Sequence, residues 1–413
     1  MKARTRKLTN VSKLILKILL TGVLLTSLSS VVFAEANESL VSINEQTSAI
    51  LSIDEAKEIA AFSVVELSGA IPELSEWGNA VIEPDITYYD LEENITAYAF
   101  NVMKNSEYDG YIIIPATKDK YPILEFSKGK LPHKISTMAK KSQRTVSNHA
   151  NKNKLNIGKS IPIYEGATFY YTKYDLQDSK NTTKKKVIVD LVTSKIISED
   201  ADNASASTDK IETVEIGKIE EAWNNLENRM AGESNGVETL VITATSKDIS
   251  NVPYYYANTR GCAPAAGAMV LGYWDVSGYP NFPSGDTLIS ELATAMGTYQ
   301  GSTYPSTVDD GIETVCSNHG YTNFNAITYS GTMYMSNVVS EINANRPFVL
   351  CMYGGGARVG GSNDYGNHAV TCMGYYYEGT TQYLNLHDGW DQSATHYITY
   401  GNWDSVIPVW VRP

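Results

Sequence analysis

Apolar positions change their spacing several times along this chain, and each change marks a segment. Ile18 to Val32 is a mostly apolar run behind a positively charged start (Lys2, Arg4, Arg6, Lys7, Lys13, Lys17), and Val32-Phe33-Ala34 ends in a small residue suited to cleavage before Glu35. This reads as a secretory signal peptide over 1–34; as a membrane anchor the run falls short of the ~20 residues a span needs. After polar residues 35–50, Ser52-Ile53-Asp54-Glu55 has the capping-box pattern and heads an amphipathic helix to about Leu67. Strand-like runs follow at 95–103, 111–114 and 121–126, then Lys-rich loops around 128–160, then strand signals at 167–173 and 186–192. One helix with an antiparallel sheet predicts a small α+β domain over 35–198. Small and acidic residues at 199–209 read as a linker. An amphipathic helix is expected over 211–230, with Ile219, Trp223 and Leu226 near one face, so that 199–240 connects two domains.

From 241 the pattern changes. Helices are expected at 262–274, 286–297, 307–318 and 335–344, with a strand before the last. Strands follow at 347–353, 368–377, 382–387 and 396–400. Residues 241–413 are predicted to form a second α+β domain in which helices come first and an antiparallel sheet afterwards. No later stretch is apolar enough to span a bilayer, so an exported chain without stable membrane insertion is expected.

Charge narrows the partners. The net charge is −13, and residues 241–413 carry five Lys or Arg against thirteen Asp or Glu, a balance of −8. Binding phosphate backbones needs a basic face, so nucleic acid is not an expected partner. No His/Cys cluster has zinc spacing and no Gly-rich loop follows a strand, so neither metal nor organic cofactor is expected. The four cysteines, Cys262, Cys316, Cys351 and Cys372, all fall in the second half, which is not a disulfide scaffold. Cys351 and Cys372 sit in apolar strand-like runs and are expected to be buried free thiols rather than a bridge.

One of these cysteines is placed for chemistry. In Gly261-Cys262-Ala263-Pro264-Ala265-Ala266 a loop turns into a helix at Cys262, with Pro264 suited to the first turn. The helix dipole and the unpaired N–H groups there favour thiolate, the nucleophilic form. A base is offered by Gly366-Asn367-His368-Ala369-Val370, where a Gly/Asn-rich loop delivers His368 onto the first residue of an apolar strand. Asp388, at the end of Leu384-Asn385-Leu386-His387-Asp388-Gly389-Trp390, can accept from that histidine across ~4.8 Å between neighbouring strands. Asp391 is a weaker rival for this orienting role. His319 is expected to cap a helix end, His387 to point to the other face, and His396 has nothing in its context to single it out. Trp390 and Trp403 read either as a shield that keeps water from the His–Asp pair or as ordinary aromatic core, the second being preferred.

Val252-Pro253-Tyr254-Tyr255-Tyr256 with Gly-Cys-Ala-Pro, Gly-Asn-His-Ala-Val and Leu-His-Asp-Gly-Trp make residues 252–413 resemble the peptidase domain of bacteriocin-processing (double-glycine leader) peptidases, within the papain-like cysteine peptidase superfamily. The resemblance implies a papain-like fold with Cys262 as nucleophile, His368 as general acid/base and Asp388 as orienter. Relatives carry a glutamine before the cysteine that helps hold the oxyanion; here Tyr256 stands six residues upstream, so Asn258 and the Cys262 backbone N–H are the expected oxyanion donors. Residues 97–127 resemble the pro-domain of streptopain-type secreted peptidases. That likeness implies a zymogen whose own N-terminal domain is an intramolecular inhibitor. The expected activity is hydrolysis of peptide or protein substrates by a secreted or cell-surface enzyme. A cell-wall amidase or endopeptidase of the same fold and a non-catalytic binding protein remain as alternatives.

Overall fold

The computed structural model describes residues 50–198, 204–206, 213–232, 245–257, 259–353, 357–359, 367–391, 395–403 and 405–413. The expected signal peptide lies outside them. All described residues fall in one contact-dense unit, Ser48–Pro413.

The capping box at the start of helix α1 (Ile53–Ala70) is formed: Glu55 N donates to Ser52 Oγ at 3.2 Å, and Ser52 N donates to Glu55 Oε2 at 2.7 Å. Its face of Ala56, Ile59, Ala60, Val64 and Leu67 packs on strands β1 (Val81–Tyr89), β2 (Ile95–Lys104) and β3 (Glu107–Pro115). The short β4 (Glu125–Ser127) follows. The Lys-rich stretch expected to be loop instead contains helix α2 (Ser136–Lys152), which buries Met138, Ser142, Val146 and Ala150. These positions repeat every four residues, but Ser142 interrupts the apolar stripe, which hid the helical period. Strands β5 (Asn156–Tyr164), β6 (Tyr170–Gln177), β7 (Thr183–Asp190), β8 (Ile196–Ser198) and β9 (Ala204–Ala206) complete this region. Helix α3 (Thr213–Met230) then packs Ile219, Trp223 and Leu226 into the core that α1 shares with β2 and β3.

After β10 (Ser246–Asp248) come helices α4 (Cys262–Val276), α5 (Gly285–Ala295) and α6 (Val308–Asn318), strand β11 (Asn325–Thr328) and helix α7 (Met335–Asn343). Strands β12 (Phe348–Tyr353), β13 (Ala357–Val359), β14 (Asn367–Glu378), β15 (Thr381–His387), β16 (His396–Thr399) and β17 (Ser405–Arg412) follow. The fold is α+β, helices first and antiparallel strands after. Every residue of α4 from Ala263 to Trp274 is buried, as befits a small-residue helix apolar on all sides, wrapped by α5, α6, β12 and β14.

The two regions share one sheet, in the order β11-β17-β12-β14-β15-β16-β4-β3-β2-β1-β5-β6-β7-β8. The junction is β16 against β4, where Tyr397 opposes Phe126 and their rings stack with centroids 5.0 Å apart. Among the described residues no helix is long and apolar enough to cross a membrane.

Candidate active site

Cys262 is the first residue of α4, and the turn before it needs glycine. Gly261 has φ +103°, and a Cβ there would lie 2.5 Å from the Gly301 carbonyl oxygen. Cys262 is half-buried and lines a cleft, while the helix behind it is buried and gives it a rigid mount. The Ala369 N–H donates to its sulfur at 3.4 Å. Burial alone pushes the Cys262 thiol up, but His368 and the Ala369 and Ala263 N–H groups together hold it below the ordinary thiol value.

His368 follows Asn367 at the start of β14, pairing with Met352 of β12. The strand is tied to α4 by Thr371, whose Oγ1 donates to the Ala266 carbonyl at 2.9 Å. His368 Nε2 lies 3.0 Å from the backbone carbonyl oxygen of Asp388. A carbonyl only accepts, so Nε2 carries the proton and the neutral ring presents its lone pair at Nδ1. Nδ1 is buried with no hydrogen-bond partner among the described residues, and ring and thiol are close enough that each shifts the other's pKa. Burial lowers the His368 pKa, but Cys262 and Asp388 outweigh it, so that it stands raised. Thiol, base lone pair and locked tautomer are the components of a thiolate–imidazolium pair.

Asp388 is beside His368 as expected, but through a different atom. Its carboxylate does not meet His368. Asp388 Oδ1 accepts from Tyr254 Oη–H at 2.7 Å, Trp390 N at 2.9 Å and Asp391 N at 3.1 Å, while Oδ2 lies 2.8 Å from His396 Nδ1. Asp388 closes the turn with its carboxylate and steers His368 with its main chain. The same turn lays the Trp390 ring against His368, with centroids 5.0 Å apart, so Trp390 lies at the site rather than in remote core. Trp403 packs on Tyr400. Asp391, the rival orienter, accepts from the Lys130 N–H instead. His387 turns away to the Pro253 carbonyl, 3.3 Å from Nδ1, and His319 follows α6 with Nε2 2.7 Å from Glu291. Asn258 lies outside the described residues.

His396, passed over in the sequence, is the principal addition. It is 1% exposed and is held on both nitrogens, Nδ1 by Asp388 and Nε2 by Glu125 at 2.9 Å. Glu125, fully buried on β4, also accepts from the hydroxyls of Tyr111, Tyr164 and Tyr170. Burial disfavours charge on His396, yet Glu125 and Asp388 push its pKa up to about 10. A carboxylate inside the apolar run Ile123-Leu124-Glu125-Phe126 was the signal that a buried cation had to be found for it. Tyr254 was inside a quoted motif, but its bond to Asp388 is not readable from spacing.

The cleft at Cys262 is walled by Ala263, Val308, Cys351 and Met352. All four cysteines are free. Cys351 opposes Ala369 and Cys372 opposes Phe348, so the two are not cross-strand partners. The turn between β7 and β8 lines one side of the cleft through Asp190, Thr193 and Lys195. Asp190, buried and capped by the Val192 and Thr193 N–H groups at 2.7 and 3.1 Å, lies close enough to His368 to feel its charge. Lys195 Nζ donates to the Gln300 carbonyl at 3.1 Å and to Ser302 Oγ at 3.3 Å, on the loop that backs Gly261. The turn therefore straddles the cleft from base to nucleophile side.

Residues 249–412 match the sequence model of the Peptidase_C39 like family. No curated protein matches the chain. Among solved structures it is similar to a fragment of prointerpain A from Prevotella intermedia, a cysteine-to-alanine variant, at 13% identity with a TM-score of 0.33, covering 81% of this chain and 98% of that one.

Proposed function

We propose, with residues 249–412 taken as a domain related to the C39 peptidases, that this protein is an exported cysteine peptidase made as a zymogen. It hydrolyses peptide bonds in peptides or proteins through an acyl-enzyme on Cys262. The observation that carries this reading is the helix-start thiol beside a histidine whose tautomer the Asp388 carbonyl locks. His368 Nδ1 takes the thiol proton, and the sulfur attacks the substrate carbonyl carbon. The resulting oxyanion is held by the Cys262 N–H, one of the unpaired donors of the first helical turn, with Asn258 as second donor. The imidazolium returns its proton to the leaving amine. Water, deprotonated by the same nitrogen, then releases the acyl group and the thiol.

Latency rests on the turn between β7 and β8, whose Asp190, Thr193 and Lys195 line the cleft beside His368 and narrow the path a polypeptide needs across Cys262. Export rests on the N-terminal pattern of basic residues, apolar run and small-residue site. Purified full-length protein incubated with casein under reducing conditions tests the activity. Peptide release and self-trimming between about 199 and 245, both absent in Cys262→Ala, are expected. Intact casein alongside thiol-dependent cutting of peptidoglycan would move the reading to a cell-wall enzyme. No thiol-dependent hydrolysis of either would overturn it.

A further inference from the structure

The His368 support ends in an aspartate that is itself held by residues from across the molecule. Asp388 reaches His368 only by its carbonyl, so that hydrogen bond is as well aligned as the turn 388–391 is rigid. One carboxylate oxygen of Asp388 is spent inside the turn, on Trp390 N and Asp391 N, and on Tyr254. The other oxygen is anchored by His396. His396 in turn is anchored by Glu125, 271 residues away in sequence and on a strand from the N-terminal region. Trp390 fills the space between the two histidines, with centroids 5.0 Å from His368 and 5.9 Å from His396.

From this chain of contacts we infer that His396 and Glu125 are positioning residues for the peptidase reaction: they fix the Asp388 turn, and through it the Asp388 carbonyl that holds the His368 tautomer. The inference rests on the peptidase reading and extends its active site into β4. The titratable groups facing His396 are Asp388 from the loop after β15, Glu125 from β4, Tyr111 from β3, whose ring stands edge-on at 6.5 Å, and His387 at the end of β15, which feels its charge. Two acids and one imidazolium make a buried set whose charge is shared. Removing the cation leaves Asp388 a buried carboxylate without its counter-ion, which protonates or swings out toward water. Either response weakens His368: a protonated Asp388 no longer favours imidazolium, and a displaced turn moves the carbonyl away from Nε2. If His396 supplied charge alone and the turn stayed in place with Asp388 ionised, its loss would instead favour the His368 imidazolium. The two accounts predict opposite shifts.

The test is the rate of Cys262 alkylation by iodoacetamide against pH in the full-length chain, read at the Cys262 peptide by mass spectrometry. The other three thiols are buried and their pKa values are pushed up, so the label reports Cys262. The native protein should show a reactive shelf on the acid side of ordinary thiol titration, bounded above by loss of the His368 proton. In His396→Gln that upper edge should move down by about one pH unit and the shelf rate should fall several-fold. A native shelf with an edge unchanged or raised in His396→Gln overturns the inference and leaves the peptidase reading standing. A native protein that titrates as an ordinary thiol overturns both. Glu125→Gln, which keeps the size of the side chain and one of the two acceptor oxygens used by the tyrosine hydroxyls, decides if His396→Gln does not fold. The same downward shift supports the inference, and an unmoved edge overturns it.

Discussion

His368 Nε2 and the Asp388 carbonyl oxygen stand 3.0 Å apart, while the carboxylate of the same aspartate faces His396 at 2.8 Å. The main chain therefore sets which nitrogen of His368 is protonated, and a side-chain change at 388 leaves that setting in place as long as the turn survives. Asn at this position can still accept from Trp390 N and Asp391 N. Asp388→Asn should accordingly lose no more than about 100-fold in kcat/KM, where an aspartate that itself holds the tautomer costs ~10⁴. A loss near 10⁴ on a peptide substrate would mean that the carboxylate, not the carbonyl, supports His368 in the working enzyme.

Gly261→Ala should be costly for a different reason. The left-handed φ of +103° is strained for any side chain by about 1–3 kcal/mol, and the new Cβ would press on the Gly301 carbonyl at 2.5 Å. Relief moves the first turn of α4, and with it the thiol. A lower unfolding midpoint is expected together with a Cys262 alkylation rate reduced on the order of 10-fold to 100-fold. A variant that melts lower but alkylates at the native rate would show that the thiol position does not depend on this turn.

Cys262 and His368 are legible in sequence because their signals are local: a loop entering a helix, and a loop entering an apolar strand. The α+β order of the second half is legible for the same reason, since α4 to α7 and β12, β14, β15 and β16 each carry their own periodicity, whereas the short β13 lies outside the expected strands. What escapes is what the sheet brings together. β16 meets β4 across 271 residues of chain, so neither His396, in a Thr/Tyr-rich strand, nor Glu125, in an apolar run, announces the other. Asp388 is intermediate: the residue is identifiable, but which of its atoms turns to His368 depends on the turn it closes. Helix α2 escaped because a buried serine, satisfied 3.4 Å from Tyr174 Oη, stands where an apolar residue would have completed the stripe.

The N-terminal region should weaken in mild acid through His133. This residue is buried, with Nε2 3.0 Å from the Tyr171 carbonyl and Nδ1 3.3 Å from Tyr88 Oη, and burial lowers its pKa to about 4. Unfolded, it titrates near 6.5. As pH falls from 6.5 toward 4 the unfolded chain takes up a proton that the native state refuses, so stability falls through that window by on the order of 3 kcal/mol. Denaturant unfolding at pH 7 and pH 4.5, compared between the native protein and His133→Gln, isolates this contribution from other groups. The variant should show the smaller acid loss; equal losses would remove His133 as the cause.

On the proposed zymogen reading, the activity of the uncut chain should depend on how firmly the turn between β7 and β8 is pinned beside the cleft. Asp190 sits at the His368 end, held by the N–H groups of its own turn, and Lys195 ties the other end to Gln300 and Ser302. Lys195→Ala removes two charge-assisted bonds that join the turn to the cleft wall and none that build the cleft. Because the lysine is accessible to water, the expected effect is modest: a several-fold higher initial rate of fluorogenic peptide hydrolysis by the uncleaved chain, with no change once the chain is cut. Gel analysis of each time point restricts the measurement to intact protein, and Cys262→Ala supplies the zero. The same β7–β8 region belongs to the sheet that brings Glu125 to His396, so cutting the chain without dissociating its N-terminal part should release the turn yet preserve the support of Asp388. An intact Lys195→Ala chain no faster than the native one would show that the lysine does not restrain access to the cleft.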